Sequence, residues 1–353
     1  MPPERSWSDL VDETAQRRHV QVLIVGGGIN GIATFRDLAL QGVEVALVER
    51  DDFCSGASAA SSHMIHGGIR YLENGEFRLV KESVQERNRL VRIAPHHVVP
   101  LLTTIPIRST FSGILAAPLR FLRHGASKPR ERGAILIKLG LMIYDAFSRG
   151  GGQVPRHRFV ARAKAHRELP QLDPRFRYTA SYFDASVASP ERLAIDLLRD
   201  GLAAGPHATA VNHVEAVGLD ETGVRLRAAG SAEEFTLRAD VVINASGAWT
   251  DLTNDALGNP TNFMGGTRGS HIVLDHPGLH AACAGREIFF ENSDGRIVLI
   301  YPLGDRVIVG TSDIPADPAV PAIITDDEIT YFFDLVREVF PDIELRREQI
   351  VHT

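Results

Sequence analysis

The sequence predicts an α/β protein of two domains: a dinucleotide-binding βαβ layer and a second, mainly antiparallel β-sheet. Three stretches carry the first domain and one set of runs the second. VQVLIV, Val20 to Val25, is an unbroken apolar run ended by glycines, the pattern of a strand buried on both faces. GGGINGIATFRDLALQG then reads as a turn and a helix, and VEVALVE, Val43 to Glu49, as a second strand. From Gly269 onward, SHIVLD, EIFFE, RIVLIYPL and RVIVGTSD are short runs divided by polar turns, an antiparallel set.

A small-residue loop spans Ser55 to Ser62, and a helix runs from about Glu76 to Val91, with Phe77, Val80, Val84 and Val91 at helical spacing. Thr110 to Arg167 mixes apolar patches with basic runs, shows no dinucleotide signal, and is assigned to the second domain. Ser189 as N-cap and Pro190 at the first helical position open a helix with Leu193, Leu197 and Leu198 on its apolar face, stopped by Gly205-Pro206. ATAVNHVEAVGL, GVRLRAAG and EEFTLR read as short strands leading into ADVVINASGAWT, a strand that runs into small residues. Thr325 and Glu328 form a capping box for the last helix, which stops at Pro341, and EQIVHT begins a further strand. The expected division is an extension over 1–18, a dinucleotide-binding domain over 19–95 and 188–248, and a substrate domain over 96–187 and 249–353.

Composition limits the function. With 353 residues, 44% hydrophobic, 23% charged and a net charge of −6, the chain is an ordinary globular protein and not a general nucleic-acid binder. Only Cys54 and Cys283 are present, so neither a disulfide framework nor a metal site is expected, and a cytoplasmic location fits. Cys54 reads as a small filler, not a redox thiol. Residues 1–19 carry no apolar segment of the signal-peptide kind, and the most apolar stretch, Ala134 to Phe147, is short of the roughly 20 residues that span a bilayer. The basic runs Arg120 to Arg132 and Arg156 to Arg167 read first as solvated faces and second as contacts for anionic lipid headgroups.

Gly26, Gly28 and Gly31 form G-x-G-x-x-G between strand and helix. Gly26 permits the tight turn, Gly28 lets the backbone approach a pyrophosphate, and Gly31 lets helix and strand pack closely. Glu49 ends the second strand 18 residues past Gly31, where a carboxylate accepts hydrogen bonds from a ribose diol and repels a 2′-phosphate. This fingerprint alone does not separate NAD from FAD. The loop Ser55 to Ser62 and the small residues of VVINASGAW favour the longer FAD, although each is also explained as a tight turn.

VGGGINGIATFRDLALQGVEVALVERDDF, ASAASSHMIHGGIRYLENGEFRLVKESVQERNRL, INASGAW, RGSHIVL and RIVLIYPLGDRVIVGTSD together resemble the flavin-dependent glycerol-3-phosphate dehydrogenase family, in family order from about Val20 to Thr353. The resemblance implies a Rossmann-like FAD-binding domain of the two-dinucleotide type, related to the D-amino-acid oxidase group, with a sheet-based substrate domain. It implies oxidation of sn-glycerol 3-phosphate to dihydroxyacetone phosphate, with electrons passed to a membrane quinone. FAD contacts would come from Gly26, Gly28, Ile29, Asn30, Gly31, Glu49, Arg50, Ser58, Ser61, Ser62, His66, Gly67, Gly68, Val214, Ala245 and Gly247.

On the same resemblance, Arg70 would supply a planar cation for the substrate phosphate and Tyr71 a hydroxyl donor. His271 would accept the proton of the C2 hydroxyl or orient that hydroxyl, and Arg268 would add positive potential. His63 stands where the family more often has Lys or Arg, and Thr311 and Asp313 fit a strand-end turn as well as a site. Peripheral membrane contact is implied, and a homodimer is among the expected assemblies. Three other readings remain: an oxidase of the same substrate releasing hydrogen peroxide, a truncated, non-catalytic chain that at most binds nucleotide, and, most distant, a nicotinamide enzyme. The resemblance also implies a further substrate-binding arginine, a flavin-contacting segment and a C-terminal helical domain beyond the residues given.

Overall fold

The computed structural model describes residues 6–110, 133–148, 154–291 and 297–353. The chain forms two compact units, the first of 1–61, 189–267 and 315–321, the second of 62–188, 268–314 and 322–353. The basic run Arg120 to Arg132 lies outside the described residues.

The first unit is built on a six-stranded sheet in the order Ala208–Val211, Val45–Val48, His19–Val25, Glu234–Asn244, Gly223–Ala228, Val214–Asp220. The first four strands are parallel and the last two add an antiparallel meander. Parallel strands are buried on both faces, which is why VQVLIV and VALV are continuous apolar runs. On one face Ile24, Leu47 and Ala210 pack with Ile32 and Phe35 of helix Ile29–Leu40 and Leu198 of helix Pro190–Ala203. Gly201 lets those helices approach, since a Cβ there would stand 2.7 Å from the Phe35 ring. On the other face Leu23, Val48 and Val211 pack with Val224, Leu226 and Leu237 of the meander, and with Leu10 and Val11 of helix Trp7–Gln16.

The second unit carries a sheet in the order Ile350–His352, His271–Leu274, Arg306–Gly310, Ile297–Leu303, Glu287–Glu291, Val98–Ile107, Tyr178–Val187, Met64–Ile65, with Arg158–Ala161 also on Tyr178–Val187. All these pairs are antiparallel except Glu287–Glu291 with Val98–Ile107. One face is wholly apolar toward helix Asp326–Val339: Ile272, Leu274, Ile288, Ile300, Val307 and Val309 meet Phe332, Leu335, Val336 and Val339. Two further helices, Phe77–Ile93 and Ala134–Ser148, bring Val80, Val84, Leu141 and Tyr144 against Ile107, Ala180 and Tyr182.

The first boundary between units falls at Ser61–Ser62, not near residue 95. Met64 and Ile65 pair with Ser186 and Ala185, and Val80 and Val84 are buried against Tyr144 and Tyr182, so this segment belongs to the second sheet. Helix Thr250–Ala256, placed in the substrate domain from the sequence, lies in the first unit. So does helix Trp7–Gln16, which makes the N-terminal extension part of that unit's core. No helix among the described residues is long and apolar enough to cross a membrane.

Candidate active site

In the first unit, parallel register brings Val25, Val48, Val211 and Asn244 to a common carboxyl edge, where open α/β sheets bind ligands. The glycine loop follows Val25 directly. Gly26 has φ +114°, and a Cβ there would meet the Ala245 carbonyl oxygen at 2.6 Å. A Cβ on Gly31 would stand 1.9 Å from the Gly26 oxygen. Both glycines are therefore fixed by packing, and Ala245 is part of that packing. Gly28 is different: a Cβ would meet only the Ser58 hydroxyl oxygen, at 3.2 Å. Its openness is what a close-lying pyrophosphate needs.

Around the loop, the Gly27 amide donates to Glu49 Oε2 at 2.6 Å, and the Asp51 amide to Glu49 Oε1 at 2.9 Å. Glu49 thus braces the turn while keeping lone pairs for a ribose. The Ile29 amide, first of the helix, donates to Ser58 Oγ at 2.9 Å. That places the small-residue loop over the helix N-terminus, where free N–H groups and the dipole favour a phosphate. The Val214 amide donates to the Glu49 carbonyl at 2.8 Å, and Asn30 lies exposed in the first helical turn. Arg50 lies 4.9 Å over the Trp249 ring, in the turn that Gly247 opens at φ +60°. These residues form a cradle of the shape and donor chemistry that an ADP moiety requires. Ser61 and Ser62 are half-buried where the chain leaves this unit. Cys54 is buried, and burial pushes its thiol up to about 11, which suits the filler reading.

In the second unit, His271 heads its strand and shares a sheet face with Val273, Ile308 and Tyr301 by the two-residue period of strands. Burial holds its imidazole below the ordinary range, and the charges of His63 and His352 act in the same direction. It is therefore neutral at pH 7, able to accept a proton. The same face carries buried polar groups that contrast with the apolar face behind it: Thr103, Asp184, Ser186 and Glu287. Burial pushes Glu287 up to about 8, while Thr103 donates to it at 2.7 Å. Tyr301 bonds to Ser186, and burial raises its phenol above the usual range.

Arg70 and Tyr71 stand exposed on the short helix Ile69–Asn74, and Arg70 has no ion pair among the described residues. His66 is exposed beside them. Gly67 is closely packed within its own unit. A Cβ there would meet the Tyr144 hydroxyl at 2.2 Å and Val84 at 2.4 Å, so packing within the unit demands the glycine. Gly68, at φ +68°, turns the chain into the helix, and the Tyr71 ring lies against it. Arg268 is not an open cation: it pairs with Glu328 at 2.8 Å. Burial opposes the charge on Glu328, but hydrogen bonds from Ser312, the Thr325 amide, Ser270 and Arg268 bring it down to about 2.

Sequence reasoning missed the support beneath Gly67. Arg87 and Asp184, 0% and 1% exposed, pair at 3.0 Å. Arg87 also donates to Tyr144 at 3.1 Å and to the Phe183 carbonyl at 2.7 Å. The Gly67 amide donates to Tyr144 Oη at 2.9 Å and to Asp184 at 3.1 Å. The signal available was a lone Arg and Asn inside an otherwise amphipathic helix, at positions facing the core.

A profile described as FAD dependent oxidoreductase matches residues 21–353. A Synechocystis glycerol-3-phosphate dehydrogenase is 33% identical over 357 residues, covering 96% of this chain and 60% of that protein. A D-erythritol 1-phosphate dehydrogenase from Brucella abortus is 31% identical, covering 96% and 63%. The chain thus spans about 60% of the length of these relatives. Among solved structures, glycerol-3-phosphate dehydrogenase from Bacillus halodurans complexed with FAD aligns with TM-score 0.67 at 20% identity, over 98% of this chain and 58% of that one. The FAD-bound L-alpha-glycerophosphate oxidase from Mycoplasma pneumoniae aligns at TM-score 0.68 and 17% identity, over 95% and 81%; these two likenesses speak to the fold. With the glycine cradle at the sheet's carboxyl edge and a profile match over nearly the whole chain, the chain belongs to the family of FAD-dependent oxidoreductases.

Proposed function

We propose that the chain takes part in oxidising sn-glycerol 3-phosphate to dihydroxyacetone phosphate, with quinone as the final acceptor. Both relatives named above act, by their names, on short polyol phosphates, which supports a substrate with a secondary alcohol beside a phosphorylated carbon. Bound FAD would supply the hydride acceptor for C2. Gly28 would let its pyrophosphate approach the helix N-terminus beside Ser58, on a turn that the packing of Gly26 and Gly31 fixes, and Glu49 would meet its ribose. His271 receives the C2 hydroxyl proton on a neutral imidazole. Arg70 neutralises the phosphate and Tyr71 donates a hydrogen bond to it. Arg268, offset by Glu328, contributes shape and hydrogen-bond order more than net charge.

The observation that carries this reading is the neutral, half-buried His271 on a sheet face where Thr103, Asp184, Ser186 and Glu287 stand among apolar residues. Turnover assayed with sn-glycerol 3-phosphate and a soluble quinone should proceed without peroxide release. Peroxide formed at the rate of substrate loss would assign oxygen as the acceptor. No turnover of sn-glycerol 3-phosphate, with D-erythritol 1-phosphate consumed, would move the substrate to the longer polyol.

A further inference from the structure

The geometry points to a second anion site in the second unit, and we propose that it binds a phosphomonoester dianion away from the candidate active site. A cavity of about 700 Å³ is lined by Arg108, Arg162, Arg175 and Arg177 together with Thr110 and Pro174. Three elements converge there: the chain leaving strand Val98–Ile107, the first residue of helix Arg162–Glu168, and the segment entering strand Tyr178–Val187. Charge at the cavity is partly compensated. Arg108 meets Glu338 at 3.1 Å, and Arg175 meets Asp173 at 2.7 Å. Arg162 and Arg177 have no ion pair among the described residues. Two uncompensated guanidinium groups around one concavity repel each other, and a doubly charged phosphate both relieves that repulsion and matches the planar donor forks. The volume exceeds a bare phosphate and suits an ester with an organic group.

Neither Arg70 nor His271 lines the cavity. Arg177 precedes Tyr178, whereas Met64 and Ile65 pair with Ser186 and Ala185 at the far end of the same strand.

The test uses the whole chain and two probes: phenyl phosphate by calorimetry, and phosphatidylcholine vesicles with or without phosphatidic acid by co-sedimentation. Arg162→Ala/Arg177→Ala should weaken binding of one probe at least about tenfold at unchanged melting temperature, while Arg70→Ala leaves it unaltered. Loss with phenyl phosphate identifies a soluble ester, and loss with the acidic vesicles alone identifies a lipid headgroup. Equal affinity of wild type and double variant, binding abolished by Arg70→Ala, or no saturable binding of either probe overturns the proposal. None of these outcomes depends on which substrate is oxidised.

Discussion

At the residue scale, His271 and Glu287 owe their expected behaviour to burial. His271 is held neutral, so single-turnover reduction by substrate should lose rate only at a pH below the ordinary imidazole range. His271→Ala should slow that step by about 10²-fold or more and remove this acid limb. A variant with wild-type rate and pH profile would take the proton-accepting role away from it. Glu287 titrates at about 8 when buried, against 4.5 for an unperturbed group. The folded protein therefore holds a proton that the unfolded chain releases, so this group's stabilisation is complete below pH 4.5 and is lost as pH rises to about 8. Glu287→Gln should flatten the melting temperature across that window, raising it at the alkaline end. An unchanged pH dependence would contradict a protonated Glu287. Gly31→Ala should cost about 3 kcal/mol or more, because the Cβ would meet a backbone oxygen, not a movable side chain. Chemical denaturation measures it, and a loss within experimental scatter would refute the packing role.

Among the elements, the βαβ unit and the late antiparallel strands were legible because burial on both faces or on one leaves an unmistakable apolar pattern. The helix at 77–93 was legible too, from Val80, Val84 and Val91. Strands Val98–Ile107 and Tyr178–Val187 were not anticipated as strands, although they are the longest pair in the second sheet. Pro100 and Pro106 break the first, and Asp184, Ser181 and Ser186 the second, since their partners lie far away in sequence. The same cause hid the support for Gly67: Arg87, Tyr144 and Asp184 look like surface residues until the sheet brings them together. The fingerprint glycines were read with their roles, yet Gly27 is also confined, by Glu49 and Phe53. Arg87→Met would leave Asp184 as a buried, unpaired charge, at a cost of about 3–5 kcal/mol. Arg87→Met/Asp184→Asn should recover part of that loss in urea unfolding. A double variant whose loss equals the sum of the single losses would show that the pair is not coupled.

For the whole molecule, each unit has its own sheet and core, and each holds a distinct share of the chemistry. The first carries glycine-framed amides and a carboxylate, which the proposed function assigns to a nucleotide; the second carries a neutral imidazole, a guanidinium without an ion pair among the described residues and a sheet face with buried polar groups, which it assigns to a phosphorylated alcohol. Arg70 should therefore be separable from cofactor content. Protein loaded with FAD and titrated anaerobically with sn-glycerol 3-phosphate tests this most directly. The visible flavin band should bleach in the wild type, and Arg70→Ala should require far more substrate for the same bleaching at equal flavin content. A band that persists in saturating substrate, with FAD demonstrably bound, would contradict the account.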